Sequence, residues 1–296
     1  MFGRAIFAKF WFLMGLALIG VTIPAQACVP AQLRVMTYNI RLDTAADGPN
    51  RWVYRRAWVS AQIDWFRPDI FGLQEVVFNQ KQDIAADLPG YRLVGKGRDD
   101  GRDGGESSPV GYDVRRFDLL DSGTFWLSPT PDRPSKGWDA AYPRVVTWAR
   151  LRVKRRKMTL LAINTHWDHV GVEARNQSAL LIGKWLTDNR RKDDRVIVLG
   201  DFNIGIASDA MRALTDVAGP DLHDGRMTSQ TKPFGPEGTF NDFRLQPETS
   251  KTIDHILVGN NIAVTRYAVI AQNVDGRMPS DHYPVLADLA LGSECK

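Results

Sequence analysis

The chain has 296 residues, 44% of them hydrophobic and 24% charged, with a formal net charge of +4. That length holds one large domain or two small ones, and the composition is that of a soluble globular protein. So small a positive balance makes no electrostatic case for a nucleic-acid binder. The two cysteines, Cys28 and Cys295, sit near opposite ends, which argues against a cysteine-ligated zinc centre.

The N-terminus departs from this average. Arg4 and Lys9 precede an apolar run over residues 10–21, and Pro24 and Ala25-Gln26-Ala27 follow it. A basic region, a hydrophobic region and a small-residue cleavage site, in that order, read as a secretory signal peptide over residues 1–27. A membrane anchor is the weaker reading, because the run is short for a span. Cleavage removes Arg4 and Lys9 and no acid, so the charge falls from +4 to +2. Export to the periplasm or beyond is expected, with residues 28–296 as a single domain. Cys28 then opens the mature chain and Cys295 nearly closes it. A disulfide tying the termini suits an oxidising compartment, and a lipid on Cys28 that leaves Cys295 free is the alternative.

In chain order, residues 32–40 (QLRVMTYNI) alternate in strand fashion and end on Asn39. Residues 51–66 place Val59, Ile63 and Phe66 at helical spacing and stop before Pro68. Residues 69–74 form an apolar strand followed by Glu75, and residues 79–88 a short helix closed by Pro89-Gly90. Strands are predicted at 91–94, 110–112 and 117–127, with polar, glycine-bearing loops at 95–109 and 128–143. A hairpin over 145–153 and 158–164 follows. The basic run Arg150, Arg152, Lys154, Arg155, Arg156 and Lys157 at its turn reads as solvated rather than as a binding patch.

Residues 172–189 give a helix with Ala179, Leu180, Ile182, Trp185 and Leu186 on its apolar side. The aliphatic run at 196–199 reads as a strand buried on both faces, with Gly200 admitting a tight turn. A short helix capped by Ser208 and strands at 253–258, 262–270 and 283–291 complete the chain.

Asp201 and Asn203 stand one residue apart beyond that buried strand. In an extended exit both side chains point the same way, where they suit a phosphate oxygen, a hydrated cation or an attacking water. Such residues equally close a turn. The recurrence of the pattern favours chemistry. Asn39, Glu75, Asn164 with His166, Asp201 with Asn203, Asp254 with His255, and Asp281 with His282 all end an apolar strand or follow it. Of five histidines, His166, His169, His255 and His282 fall in these positions, which resembles loops leaving a common sheet edge. Carboxylates and carboxamides are hard oxygen ligands for Mg²⁺, Mn²⁺ or Ca²⁺. No serine elbow or P-loop is present. Proton-moving histidines beside such a cation fit attack of water on a phosphoester. His255, next to Asp254, points to the opposite face of its strand and reads as structural.

The motifs TYNIR (37–41), GLQEV (72–76), NTHWDH (164–169), GDFN (200–203), IDHILV (253–258) and SDHYPV (280–285) span nearly the whole mature chain. Together they resemble the endonuclease/exonuclease/phosphatase superfamily of DNase I-like, metal-dependent phosphoesterases, and residues 123–148 resemble an exported bacterial branch. The resemblance implies an α/β fold: a four-layer α/β sandwich, two mixed β-sheets packed face to face with helices on the outside. It implies that Glu75 is the principal metal ligand, with Asn39 beside it and Asp281 binding directly or through water. His282, oriented by Asp254, would activate water or stabilise the pentacovalent phosphorus. Asp201 and Asn203 would position nucleophile and phosphate, and His166 would donate to the phosphate or the leaving oxygen.

Tyr112 matches a tyrosine that often touches the phosphate, although Asp113 stands where a basic residue is expected. Arg144 and His169 are further substrate-side candidates, with pairing of Arg144 to a carboxylate as its alternative. The expected function is an exported phosphodiesterase or phosphatase, monomeric and without an obligate protein partner. Nucleic acid, a phospholipid head group and a small phosphorylated metabolite are the substrate classes. A binding or adhesion protein on the same fold is the rival, disfavoured by retention of Asn39, Glu75, His166, Asp201, Asn203, Asp254, Asp281 and His282.

Overall fold

A computed structural model describes residues 1–3, 31–217, 222–247 and 251–292. Residues 4–27 of the expected signal peptide, its cleavage site, Cys28 and Cys295 lie outside the described residues. The first half contains β1 (Ala31–Asn39), α1 (Trp52–Phe66), β2 (Ile70–Gln74), α2 (Phe78–Asp87), β3 (Tyr91–Val94), β4 (Val110–Asp113) and β5 (Phe117–Trp126). Then come β6 (Val145–Val153), β7 (Thr159–His166), α3 (Val172–Asn189), β8 (Asp194–Asp201) and α4 (Asp209–Val217). The strands β9 (Leu222–Asp224), β10 (Asp254–Gly259), β11 (Ile262–Val269) and β12 (Val285–Leu291) finish it.

One sheet has the order β11-β12-β1-β2-β4-β3 and the other β5-β6-β7-β8-β10-β9. In each, one central pair is parallel (β1 with β2, β7 with β8) and the remaining neighbours are antiparallel, so both sheets are mixed. Leu33, Val35, Ile70, Val285 and Ala287 of the first sheet meet Leu160, Ala162, Ile197, Leu199 and Ile256 of the second in the central core. Met36, Tyr38, Phe71 and Leu73 bury the outer face of the first sheet against Trp52, Val59, Ile63 and Ile84. Leu161, Ile163, Val196 and Val198 do the same for the second sheet against Ala179, Ile182, Leu186, Met211 and Leu214. These are the four expected layers. They explain the unbroken aliphatic run of β8, whose alternate residues face two different cores.

The same alternation delivers polar groups to one rim. On β1 the inward residues run Leu33, Val35, Thr37, Asn39, from core to polar end. Asn39 pairs with Gln74 across the first sheet, while His166 and Asp254 both pair with Asp201 across the second. Asn164, although also a polar residue near a strand end, serves to bolt the sheets together. Its Nδ2 donates to the carbonyls of Leu73 (2.8 Å) and Pro109 (2.9 Å), and its Oδ1 accepts from Gln74 (2.7 Å). Only glycine fits opposite it, since a Cβ on Gly72 would lie 2.5 Å from Asn164 Oδ1.

Two expectations shift. Arg150 is buried and ion-paired to Asp194 at 3.1 Å, so the basic run is not solvated throughout. A 3₁₀ segment, Ala45–Asn50, and the three-residue β9 were not predicted, because pieces so short carry no readable period.

Candidate active site

Asp201 is the hub of the rim. Asn39 Nδ2 donates to its Oδ2 at 3.0 Å and to Glu75 Oε1 at 3.1 Å, coupling the carboxylates of the two sheets. His166 Nε2 and His282 Nε2 stand 3.5 and 3.7 Å from the same Asp201 oxygen. His282 Nδ1 donates to Asp254 Oδ2 at 2.8 Å, which fixes the ring and leaves Nε2 turned inward. Groups between positions 39 and 282 are thereby joined contact by contact.

Glu75 and Asp281 lie at the open side. Their side chains are 12% and 11% exposed, against 0% for Asp254. The tight turn after Asn39 arranges them: Arg41 N–H donates to Asn39 Oδ1 and Leu42 N–H to Glu75 Oε2. Arg41 and Glu75 both adopt left-handed backbone, φ 55° and 62°, a conformation of modest cost that functional sites retain. The Arg41 guanidinium is held by Asp47 and lies 3.6 Å from Glu75 and 4.0 Å from Asp281.

The electrostatics divides the groups. Burial, then repulsion from Asp254, pushes the Asp201 carboxyl up to about 7 despite the attraction of His282. Burial, with Glu75 adding repulsion against the pull of His282, pushes Asp281 up to about 6. Burial opposes a charge on His282, yet Asp254 and Asp201 outweigh it and hold that imidazole well above its usual range. His166 goes the other way, driven well below it by burial and then by Arg144 and His282. Two histidines pushed apart, flanking a carboxyl poised near neutrality, divide proton donor from acceptor.

Two places could hold a cation. One ligand atom from each of Asp201, Asp254 and His282 lies within 4.8 Å of the others. There the His282 Nδ1 is already engaged by Asp254, and no face of Asp254 is open. Glu75 and Asp281 offer hard oxygens at the open side, and the mutual repulsion of these acids is what a divalent ion relieves. Those residues fit Mg²⁺ or Mn²⁺ better, with Asn39 acting chiefly as the coupling amide.

The outer candidates scatter. Arg144, buried, pairs with Asp168 at 3.3 Å and donates through Nη2 to His169 Nδ1 at 3.0 Å. Asp168 also accepts backbone N–H groups of Gly171, Ala141 and Val170; against the opposing effect of burial these hold it down at about 2. It thereby shapes the loop beside His166. His169 is exposed and stacks on Tyr142, whose ring also sits 5.0 Å from the Arg98 guanidinium. Asn203 N–H closes an Asx turn on Asp201 Oδ1, while its Nδ2 reaches back to the Trp167 carbonyl. It therefore fastens the segment after His166 rather than standing parallel to Asp201.

Tyr112 does not join the site. It pairs with Ile70, at the far end of β2 from Glu75, and lines a separate cavity with Pro89, Arg92 and Phe117. The motif match carried the residue type but not the end of the strand. His255 faces away as expected, bonded to Asp224 and to the Ile204 carbonyl. Arg98 and Tyr142 escaped the sequence reading because single arginines and tyrosines in polar loops have no distinguishing spacing, and Arg41, the last residue of TYNIR, was given no role there.

A rim of coupled acids, an amide and two oppositely tuned histidines defines a hydrolase that works on phosphoester bonds. The family model described as "Endonuclease/Exonuclease/phosphatase family" matches residues 36–282, and the chain belongs to that family. Among solved structures, an endonuclease/exonuclease/phosphatase from Bacteroides vulgatus is 40% identical, covering 88% of this chain and 99% of that one, with a TM-score of 0.82. The mannosyl-6-phosphatase of Bacteroides thetaiotaomicron VPI-5482 is 36% identical, covering 88% and 100%, with a TM-score of 0.83. An uncharacterised protein of Acanthamoeba polyphaga mimivirus is 28% identical over 160 residues, 52% of this chain and 59% of that protein's length.

Proposed function

We propose that this hydrolase cleaves a small phosphorylated sugar or a similar polar phosphomonoester by in-line attack of water, with a divalent cation, after export from the cell. The observation that carries the reading is the unbroken row of contacts from Glu75 through Asn39 and Asp201 to His282 and Asp254. Glu75 and Asp281 would hold Mg²⁺ or Mn²⁺, which when bound supplies Lewis-acid polarisation of the phosphoryl oxygens. Asp201 accepts the proton of the attacking water. His282, kept charged by Asp254, donates to the developing equatorial charge, and His166 hydrogen-bonds the leaving oxygen, which takes up its proton from solvent as the alcohol departs.

A sugar monoester is favoured over a diester by the likeness to the mannosyl-6-phosphatase. It also suits the rim of Tyr142 and His169 over Arg98 and Arg144, a polar aromatic edge for a hydroxylated ring rather than for acyl chains. Export rests on the leader pattern of residues 1–27. The test is a panel of mannose 6-phosphate, p-nitrophenyl phosphate, bis-p-nitrophenyl phosphate, plasmid DNA and sphingomyelin, with Mg²⁺ or Mn²⁺ and then with chelator. Metal-dependent phosphate release, greatest on the sugar monoester and lost in His282→Ala, is expected. Faster turnover of any diester contradicts the monoester assignment. Wild-type protein no better than His282→Ala under every metal contradicts hydrolysis and favours the binding-protein reading.

A further inference from the structure

Arg55, on α1, is fully buried, and its guanidinium faces main-chain oxygens alone. Nε donates to the Asn50 carbonyl (2.6 Å), Nη1 to Ile40 (2.7 Å) and Pro279 (2.9 Å), and Nη2 to Arg41 (2.9 Å). Trp52 and Phe243 cover it, their ring centroids 5.5 and 5.4 Å from its central carbon. No carboxylate of the described residues lies within ion-pair distance. A buried cation without a counter-ion is costly, and this one is offset by hydrogen bonds to carbonyls that an apolar side chain could not satisfy.

Three of the four carbonyls, those of Ile40, Arg41 and Pro279, share a position beside the site. Ile40 and Arg41 form the strained turn whose N–H groups, at Arg41 and Leu42, orient Asn39 and Glu75. Pro279 immediately precedes Ser280 and Asp281. Ser280 Oγ in turn lies 2.7 Å from the Asn39 carbonyl, to which it donates, and 3.2 Å from Asp281 Oδ1. One guanidinium therefore grips, from beneath, the turn after Asn39 and the segment before Asp281, while Glu75 is reached only through the Leu42 N–H of that turn, and its charge lies under the acids gathered at the rim.

We propose that Arg55, seconded by Ser280, is the positioning residue of the cation site, fixing the spacing of Asn39, Glu75 and Asp281 and so setting the affinity for the divalent ion. This rests on the cation reading given above. Outer partners of metal ligands typically change affinity by roughly 10- to 100-fold when removed.

The test is isothermal titration of chelator-treated protein with Mn²⁺, alongside thermal unfolding, for wild type, Arg55→Lys, Arg55→Met and Ser280→Ala. Arg56→Met is the control, since that half-exposed arginine on the same helix pairs, among the described residues, with Asp83 and Asp87 of α2. Lysine keeps the charge but cannot span the carbonyls, so a folded Arg55→Lys protein is expected to bind Mn²⁺ roughly tenfold more weakly. The loss is larger in Arg55→Met, a few-fold in Ser280→Ala, and absent in Arg56→Met. Wild-type Mn²⁺ affinity in Arg55→Lys overturns the proposal, and if Arg55→Met then fails to fold, Arg55 serves stability alone. Should neither Arg55 variant fold, Ser280→Ala decides, with wild-type affinity there overturning it. Wild-type protein that takes up no Mn²⁺ defeats the cation reading itself, a separate result.

Discussion

The two ends of the sandwich treat charge in opposite ways. At the end where β1 begins, Arg34 meets Asp288 (2.7 Å), Arg116 meets Asp69 (2.6 Å) and Arg152 meets Asp118 (2.9 Å), each arginine at least a third exposed, with Arg266 and Lys154 sharing Asp288 and Asp118 so that cations match or outnumber the acids. At the end where β1 stops, Glu75, Asp201, Asp254 and Asp281 crowd together, nearly all buried, with Arg41 and His282 as nearby cations and Arg55 beneath them among carbonyls. Exposed pairs cost little and contribute about 0.2–1 kcal/mol each. Buried, imperfectly balanced charge is expensive, and it is kept where chemistry requires shifted proton affinities. The same strands thus end in ordinary solvated surface on one side and in a reaction centre on the other.

That contrast is broken first by the hub. Replacing His282 with Ala, or Asp201 with Asn, is expected to lower kcat by roughly two to four orders of magnitude, and His166→Ala to fall in the same range. Steady-state turnover on p-nitrophenyl phosphate measures this, and an unchanged rate removes the residue concerned from the mechanism. Next comes Glu75→Ala, which should shift the metal concentration needed for half-maximal rate upward by roughly tenfold or more. A superimposable Mg²⁺ titration would assign the cation elsewhere.

Smaller still is the pH effect. Because burial and Asp254 raise Asp201 to about 7, its basic form is scarce in acid and fills as pH rises, so the rate climbs through that region and levels above it. Asp201→Asn should lose this limb; a variant that keeps it shows that another group titrates. The least effect belongs to the far end. Arg152→Ala should leave turnover unaltered and change unfolding free energy by no more than about 1 kcal/mol. A loss of rate there would mean that the two ends are coupled.

Much of the architecture was legible because the core is double. Val196 to Leu199 lack alternation since both their faces are buried, and a run of that kind announces a central strand. Asp201 was legible for the related reason that the stretch before it, Val196 to Gly200, holds no polar side chain. What stayed hidden is where contact depends on partners rather than on residue type. Asn164 reads like a site residue and bolts two sheets. Tyr112 matches a motif yet lies at the wrong end of its strand. Arg55 answers to carbonyl groups, which every residue has, so no spacing betrays it.

The central claim is that acids, an amide and imidazoles from both sheets act together on one divalent ion and one phosphoester. Its most direct test is hydrolysis of p-nitrophenyl phosphate by wild-type protein, assayed after chelation and again after Mg²⁺ or Mn²⁺ is restored. The expected result is a rate that collapses on chelation and returns with the metal, while His282→Ala stays inactive throughout. A chelated enzyme that keeps its full rate would contradict the claim.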